Sequence, residues 1–154
     1  MKLSKQVKQV IEKSVLCWLA TSSTDHMPNV SPKECFTFYE DDKIIVANIA
    51  SPTSVSNIRK NEKVCISFID ILVQKGFQIK GTATIIEQDD HSFLPYSAIF
   101  QHILLDQFPI TNIIEIQVGS IKPILAPSYI FNPKTTEQDQ IESAKRQYGI
   151  RELD

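Results

Sequence analysis

From Val15 to Ile49 the chain passes through three apolar runs rich in β-branched and aromatic residues, with only short polar turns between them. The turn EDDK at 40–43 leaves no room for a helix between the runs on either side of it. Parallel neighbours need a crossover of about a dozen residues or more, whereas antiparallel ones close through a tight turn. This stretch therefore cannot be a series of βαβ units, and antiparallel pairing is expected. Six strands are predicted, at 15–22, 28–39, 43–49, 63–71, 76–88 and 112–118, punctuated by turn residues.

Helical patterns fall between these runs. Leu3, Val7, Val10 and Ile11 form an apolar stripe on a first helix ending near Ser14. In SPTSVSNIRKNEK, Ser51 suits an N-cap and Pro52 the first helical position, with Val55 and Ile58 on the buried side. A third helix is expected at 92–106, carrying Phe93, Ala98, Ile103 and Leu104. A fourth is expected at 136–148, from a Thr136 cap to a Gly149 stop, with Ile141, Ala144 and Tyr148 helically spaced. The expected fold class is mainly β, a six-stranded antiparallel β-barrel, closed or split, with flanking helices. Residues 1–125 are expected to form the barrel and 126–154 a C-terminal extension with a short helix.

A chain of 154 residues with 42% hydrophobic content can bury a core without metal or disulfides. A net charge of −2 leaves no electrostatic footprint for nucleic acid or an anionic membrane, so neither partner is expected. No apolar run approaches the ~18 residues of a membrane span. The run VLCWLA is short, Glu12 and Lys13 interrupt its approach, and it reads as a strand of a cytoplasmic protein. Cys17, Cys35 and Cys65 each sit in an apolar run and read as small buried hydrophobes of a reducing compartment. His26, His91 and His102 show no ligand spacing with Cys or Asp, so no metal site is expected.

The informative stretch is PNVSPKECF, from Pro28 to Phe36. If it is one strand, alternation sets Val30, Phe36 and Phe38 on one face and Asn29, Ser31, Lys33 and Cys35 on the other. A lysine in a strand can guard an exposed edge, and that reading stays open for Lys33. The other reading joins this polar stripe to the start of the second helix. There Thr53 and Ser54 offer hydroxyls beside unpaired backbone N–H groups at the positive end of the helix dipole, and Asn48 precedes them. Such a start can hold a phosphate, or Ser51 can simply cap the helix. With four glycines, the chain carries no Gly-rich phosphate loop.

PNVSPK, IVANIASPTSVSNIRKNEKV and GFQIKGTATI, in this order and spacing, resemble the pyridoxamine 5′-phosphate oxidase-related FMN-binding split barrels over roughly residues 3–120. The resemblance implies a homodimer with an FMN at each end of its interface and a small-molecule substrate. It places Ser31, Pro32 and Lys33, with Asn29 on the same strand, along the flavin or in the adjoining substrate pocket. It places Asn48, Ala50, Thr53, Ser54 and Asn57 around the cofactor edge and phosphate, and Gln78 where a glutamine of the fifth strand reaches the flavin. Many relatives carry Lys or Arg where this chain has Thr53 and Ser54. The segment PILAPSYIFNPKTTEQ lacks the Arg- and Trp-containing strand with which pyridoxamine phosphate oxidase itself completes its substrate site. The implied function is an FMN-dependent oxidoreductase, with no side chain marked as an obligatory acid or base. The alternatives are a non-enzymatic flavin or electron carrier, or a split barrel that binds haem or a deazaflavin.

Two-sided apolar strands point to a homodimer independently. Val15, Cys17 and Leu19 alternate with Leu16, Trp18 and Ala20, so both faces of this strand need cover.

Overall fold

The computed structural model describes residues 1–104 and 108–150. The order is α1 (Lys5–Lys13), β1 (Cys17–Ser22), β2 (Pro28–Lys33), β3 (Phe36–Tyr39), β4 (Lys43–Asn48), α2 (Pro52–Lys60), β5 (Lys63–Asp70), β6 (Lys75–Ile86), α3 (Phe93–Leu104), β7 (Asn112–Leu125), α4 (Pro127–Phe131) and α5 (Glu137–Tyr148). All strand pairs are antiparallel, in one sheet of order β2-β1-β5-β6-β7-β4-β3.

The sheet has seven strands rather than the expected six because the predicted strand 28–39 breaks at Glu34 and Cys35. Its halves, β2 and β3, occupy the two opposite edges of the sheet. Two residues span only about 7 Å, so edges joined by so short a link must curl together, and the sheet becomes a half-barrel. The Ala47 N–H donates to Cys35 O across this junction, at 2.9 Å. The break also shifts the alternation. Val30 is 58% exposed and points outward, whereas Phe36, with 6% exposure, enters the core alongside Cys17 and Leu19.

The barrel interior is filled by Leu19, Ile44, Ile66, Phe68, Ile79 and Ile116, closed by Val7 and Ile11 of α1 and Ile58 of α2. A second cluster packs Ile45, Ala47 and Ile113 under Tyr96 and Phe100 of α3. β4 thus has apolar cover on both faces, which is why KIIVAN reads as a continuous rather than alternating run. The predicted helix at 92–106 appears as α3; positions 105 and 106 and the side chains of Ile103 and Leu104 lie outside the described residues.

β7 runs past its predicted end at Val118, through Gly119, Ser120 and Pro123, to Leu125. Its extension pairs with β6 only, since β4 pairs no further than Gln117. A proline is tolerated on such an edge because no ladder bond is required of its missing N–H. α5 begins at a Thr136–Asp139 capping box and ends at Gly149, whose φ of 67° suits a residue without Cβ. No helix of the described residues is long and apolar enough to cross a membrane.

Candidate functional site

The inward face of β2 carries Asn29, Ser31 and Lys33, set against Thr21, Leu19 and Cys17 of β1 by the strand register. The first two are taken up by α2. Asn29 Nδ2 donates to Thr21 Oγ1 at 3.2 Å and lies 3.4 Å from Ser54 Oγ. The Ser31 and Ser54 hydroxyls are 3.0 Å apart, and Asn57 Nδ2 donates to Thr21 Oγ1 at 3.1 Å. Ser54 is 1% exposed. These side chains form a closed polar seam that seats the helix on β1 and β2, each partner supplying what burial would otherwise leave unmet.

Lys33 is different. It is 6% exposed, and its Nζ donates to the hydroxyl of Ser51. Among the described residues no carboxylate forms an ion pair with it. Burial pushes its pKa below the ordinary lysine range. Cys17, opposite it, is no counter-ion: burial drives that thiol up to about 12, so it is neutral at physiological pH. An ammonium has three donors and a buried charge normally has a partner. Among the described residues, Lys33 therefore has one hydroxyl acceptor and no carboxylate partner.

That cation lines a cavity of about 750 Å³. Its walls come from the end of α1 and the residues after it (Ile11, Glu12, Ser14, Val15), the β2–β3 junction and the start of β3 (Pro32, Glu34, Cys35, Phe36, Thr37), the end of β4 and the loop after it (Ala47, Ile49, Ala50, Ser51), and Phe108. The volume is in the range of small-molecule sites, and the lining is mostly apolar with few polar groups, as such sites are. Cys35 is held protonated by burial and by neighbouring Glu34, so it contributes surface rather than a nucleophile. Lys33 shares this lining with two carboxylates, Glu12 and Glu34, neither of which forms an ion pair with it.

Ser51 does not cap α2 as expected. Its side chain makes no capping bond, its hydroxyl accepting from Lys33 instead, and its ψ of 66° lies outside the extended region of ordinary caps. Its backbone N–H donates instead to Asn48 Oδ1 at 3.1 Å, and Asn48 Nδ2 donates to Asn112 Oδ1 at 2.9 Å.

Of the residues singled out in the sequence, Pro32, Lys33 and Ala50 line the cavity. Asn29, Ser31, Ser54 and Asn57 form the seam behind it, and Asn48 holds the loop between them. Thr53 stands exposed on the first turn of α2. Gln78 is apart. It faces outward in a row with Ser67, Trp18 and Pro32 across β6, β5, β1 and β2, three strand spacings or about 14 Å from Pro32. Arg59 supplies no charge to the helix start, since it pairs with Glu87 at 2.5 Å. Sequence reasoning missed Thr21 and Asn112 and gave Ser51 only its capping role. The hydroxyl-rich helix start hinted at Ser51, but nothing in the sequence marks Asn112.

The family described as pyridoxamine 5′-phosphate oxidase matches residues 3–121, from the approach to α1 into β7. The chain belongs to the pyridoxamine 5′-phosphate oxidase family. Other members of this fold show how far sequence can drift. HupZ of Group A Streptococcus is 22% identical, with a TM-score of 0.66, covering 79% of this chain and 98% of its own. An FMN-binding protein from Syntrophomonas wolfei is 15% identical with a TM-score of 0.69, covering 79% and 86%. HutZ, the haem storage protein from Vibrio cholerae, is 18% identical with a TM-score of 0.64, covering 81% and 95%. At these identities the likeness is one of fold. No curated protein matches this family member by sequence.

Proposed function

We propose that the chain is an FMN-binding flavoprotein that acts as a homodimeric oxidoreductase on a small molecule in the cytoplasm. The observation that carries this reading is Lys33, a buried cation without a carboxylate partner among the described residues, lining a cavity of about 750 Å³. Family membership adds the flavin as the natural occupant, and the free thiols Cys17, Cys35 and Cys65 suit a reducing compartment.

Lys33, Ser51, Pro32 and Ala50 would hold the ligand within the cavity. The Thr53 hydroxyl and the unpaired backbone N–H groups of the first turn of α2 would take the phosphate. Asn29, Ser31, Ser54 and Asn57 would act on the cofactor by seating that helix, and Asn48 by fixing the loop before it. When bound, the flavin supplies hydride or electron exchange. Lys33 would stabilise negative charge on the bound cofactor, and Phe36 and Ile49 would help keep water from the cavity.

Gln78 faces outward, so it enters such a site only through a second copy of the chain. The outer face suits one. Val15, Leu16, Trp18, Ile69, Ile71 and Ile124 line an apolar groove of about 780 Å³, with Trp18 49% exposed. Light scattering at micromolar concentration should give twice the 17.5 kDa chain mass; a species of chain mass would remove the dimer and the role of Gln78 with it.

The absorbance spectrum of the purified protein tests the cofactor: flavin bands in the blue are expected, and a Soret band would replace this reading with a haem protein. Turnover with NADH or NADPH separates an oxidoreductase from a carrier. Thr53→Lys restores a charge that many relatives carry at this turn. It should tighten FMN binding by about tenfold, while a cation at a helix N-terminus costs the apo-protein about 0.3–1 kcal/mol. Unchanged affinity, read by flavin fluorescence, would move the phosphate away from α2.

A further inference from the structure

Three strands and a helix start meet in one chain of hydrogen bonds. Asn112 at the beginning of β7 accepts from Asn48 Nδ2 at the end of β4, at 2.9 Å. Asn48 Oδ1 accepts from the Ser51 N–H at 3.1 Å, and Ser51 Oγ accepts from Lys33 Nζ on β2. Asn48 and Asn112 are both buried. Neither lines the cavity.

We infer that Asn112 is a positioning residue for the cation of this cavity: it fixes the Asn48 amide, which holds the Ser51 backbone so that the Ser51 hydroxyl faces Lys33 instead of capping α2. This rests on the Lys33 cavity being the cofactor site, but its physical content can be read without a cofactor.

Ser51 has an alternative open to it. A serine before a helix ordinarily adopts an extended backbone and turns its oxygen to an N–H of the first turn. Ser51 is held from that state by the bond from its N–H to Asn48, which leaves ψ at 66° and the hydroxyl uncommitted to the helix. An asparagine amide can rotate, and only its oxygen end can accept from the Ser51 N–H. What orients it is Asn112, whose oxygen takes the Nδ2 end and so leaves Oδ1 for Ser51. The neighbouring bonds from Thr111 N to Asn48 O, at 2.9 Å, and from Thr111 Oγ1 to Ile49 O, at 3.1 Å, pin the same loop to the start of β7. Remove the Asn112 oxygen and the buried Nδ2 of Asn48 is left without its partner, so the amide is no longer held in this orientation. Ser51 is then free to relax into a cap, and Lys33 loses its hydroxyl acceptor.

The test uses the apo-protein and reads Lys33 directly, as its acetylation rate by acetic anhydride measured by peptide mass spectrometry. A hydroxyl that accepts from the ammonium favours the charged form, so losing it raises the fraction of reactive neutral amine. Ser51→Ala should therefore raise the rate about threefold, and Asn112→Leu should raise it by the same factor although it touches neither residue. The double variant should be no faster than Ser51→Ala alone, the non-additivity expected of residues acting in series. Asn112→Asp keeps an acceptor for Asn48 and adds negative charge, so it should react no faster than wild type. If Asn112→Leu does not fold, Asn112→Ser, with its oxygen drawn back from Asn48, is read with the same expectations. A wild-type rate in a folded Asn112→Leu or Asn112→Ser, or effects that add in the double variant, would overturn the inference. The FMN dissociation constants of the same variants form a separate arm. If the wild type binds no FMN, the cofactor reading fails while the acetylation result still decides the role of Asn112.

Discussion

Lys33→Met should lower FMN affinity by about tenfold or more, equivalent to ~1.4 kcal/mol, and yet leave the apo-protein as stable as wild type or more so. The two effects have opposite signs because one residue serves two states. In the apo-protein the ammonium is buried with one hydroxyl acceptor and no carboxylate partner among the described residues, so burial disfavours its charged form. Met keeps the unbranched stem and removes the charge. Replacing an uncompensated buried ion with an apolar residue of similar shape is commonly neutral or stabilising. With the ligand present, the same charge has an anion to meet. A lysine that merely guarded an edge would move neither quantity beyond ~0.5 kcal/mol.

The pH dependence has a definite sign. The folded-state pKa of Lys33 lies below its unfolded value. Between the two values the unfolded chain binds more protons, so this group makes stability rise with pH through that window and levels off above the ordinary lysine pKa. Lys33→Met should flatten that rise in an alkaline series of denaturant titrations. FMN affinity in the wild type should fall over the same window as the ammonium is lost. A variant with wild-type affinity and an unchanged alkaline profile would return Lys33 to the role of an edge guard.

Gly81→Ala should be among the most damaging small substitutions in the barrel, costing several kcal/mol and a large drop in thermal midpoint. A Cβ at Gly81 would stand 2.1 Å from Gln117 O and 3.1 Å from the Ile116 side chain. The nearer atom is backbone in the adjoining strand, so no rotamer change relieves the clash. Gly81 also sits at the register shift between Lys80 and Gly81, where β6 passes from one half of β7 to the other. Moving the strands apart would disturb Ile79, Ile116 and Val118 in the interior. A folded Gly81→Ala protein with a melting midpoint near that of the wild type would mean that the two strands are not this close.

The barrel was legible because its strands announce themselves by composition and its turns by length. KIIVAN, KVCISFID and GFQIKGTATII could hardly be anything else, and EDDK could only close a hairpin. The break in PNVSPKECFTFY was not legible. Nothing at Glu34 and Cys35 marks a kink; the pressure to break comes from closing the sheet, a property of the whole molecule. That one break brought Phe36 to the inward side that Asn29, Ser31 and Lys33 occupy, while Val30 stays outside, the opposite of what polarity suggests. Polar residues can face inward there because α2 and the loop before it bring Ser54, Asn57 and Ser51 to meet them, and such long-range partners leave no periodic trace. The same holds for Asn112, which lies 64 positions from the asparagine it orients. Gln78 faces away from Phe77 and Ile79 on β6, and strand alternation cannot say how many strands lie between two outward residues.

Titration of the apo-protein with FMN, followed by flavin fluorescence and run beside riboflavin, addresses the central claim most directly. A site built on a buried cation and a hydroxyl-bearing helix start should bind one FMN per chain with saturation, and riboflavin, which lacks the phosphate, about tenfold more weakly or worse. No saturable change with either flavin, with hemin instead producing a Soret band in the same apo-protein, would contradict it.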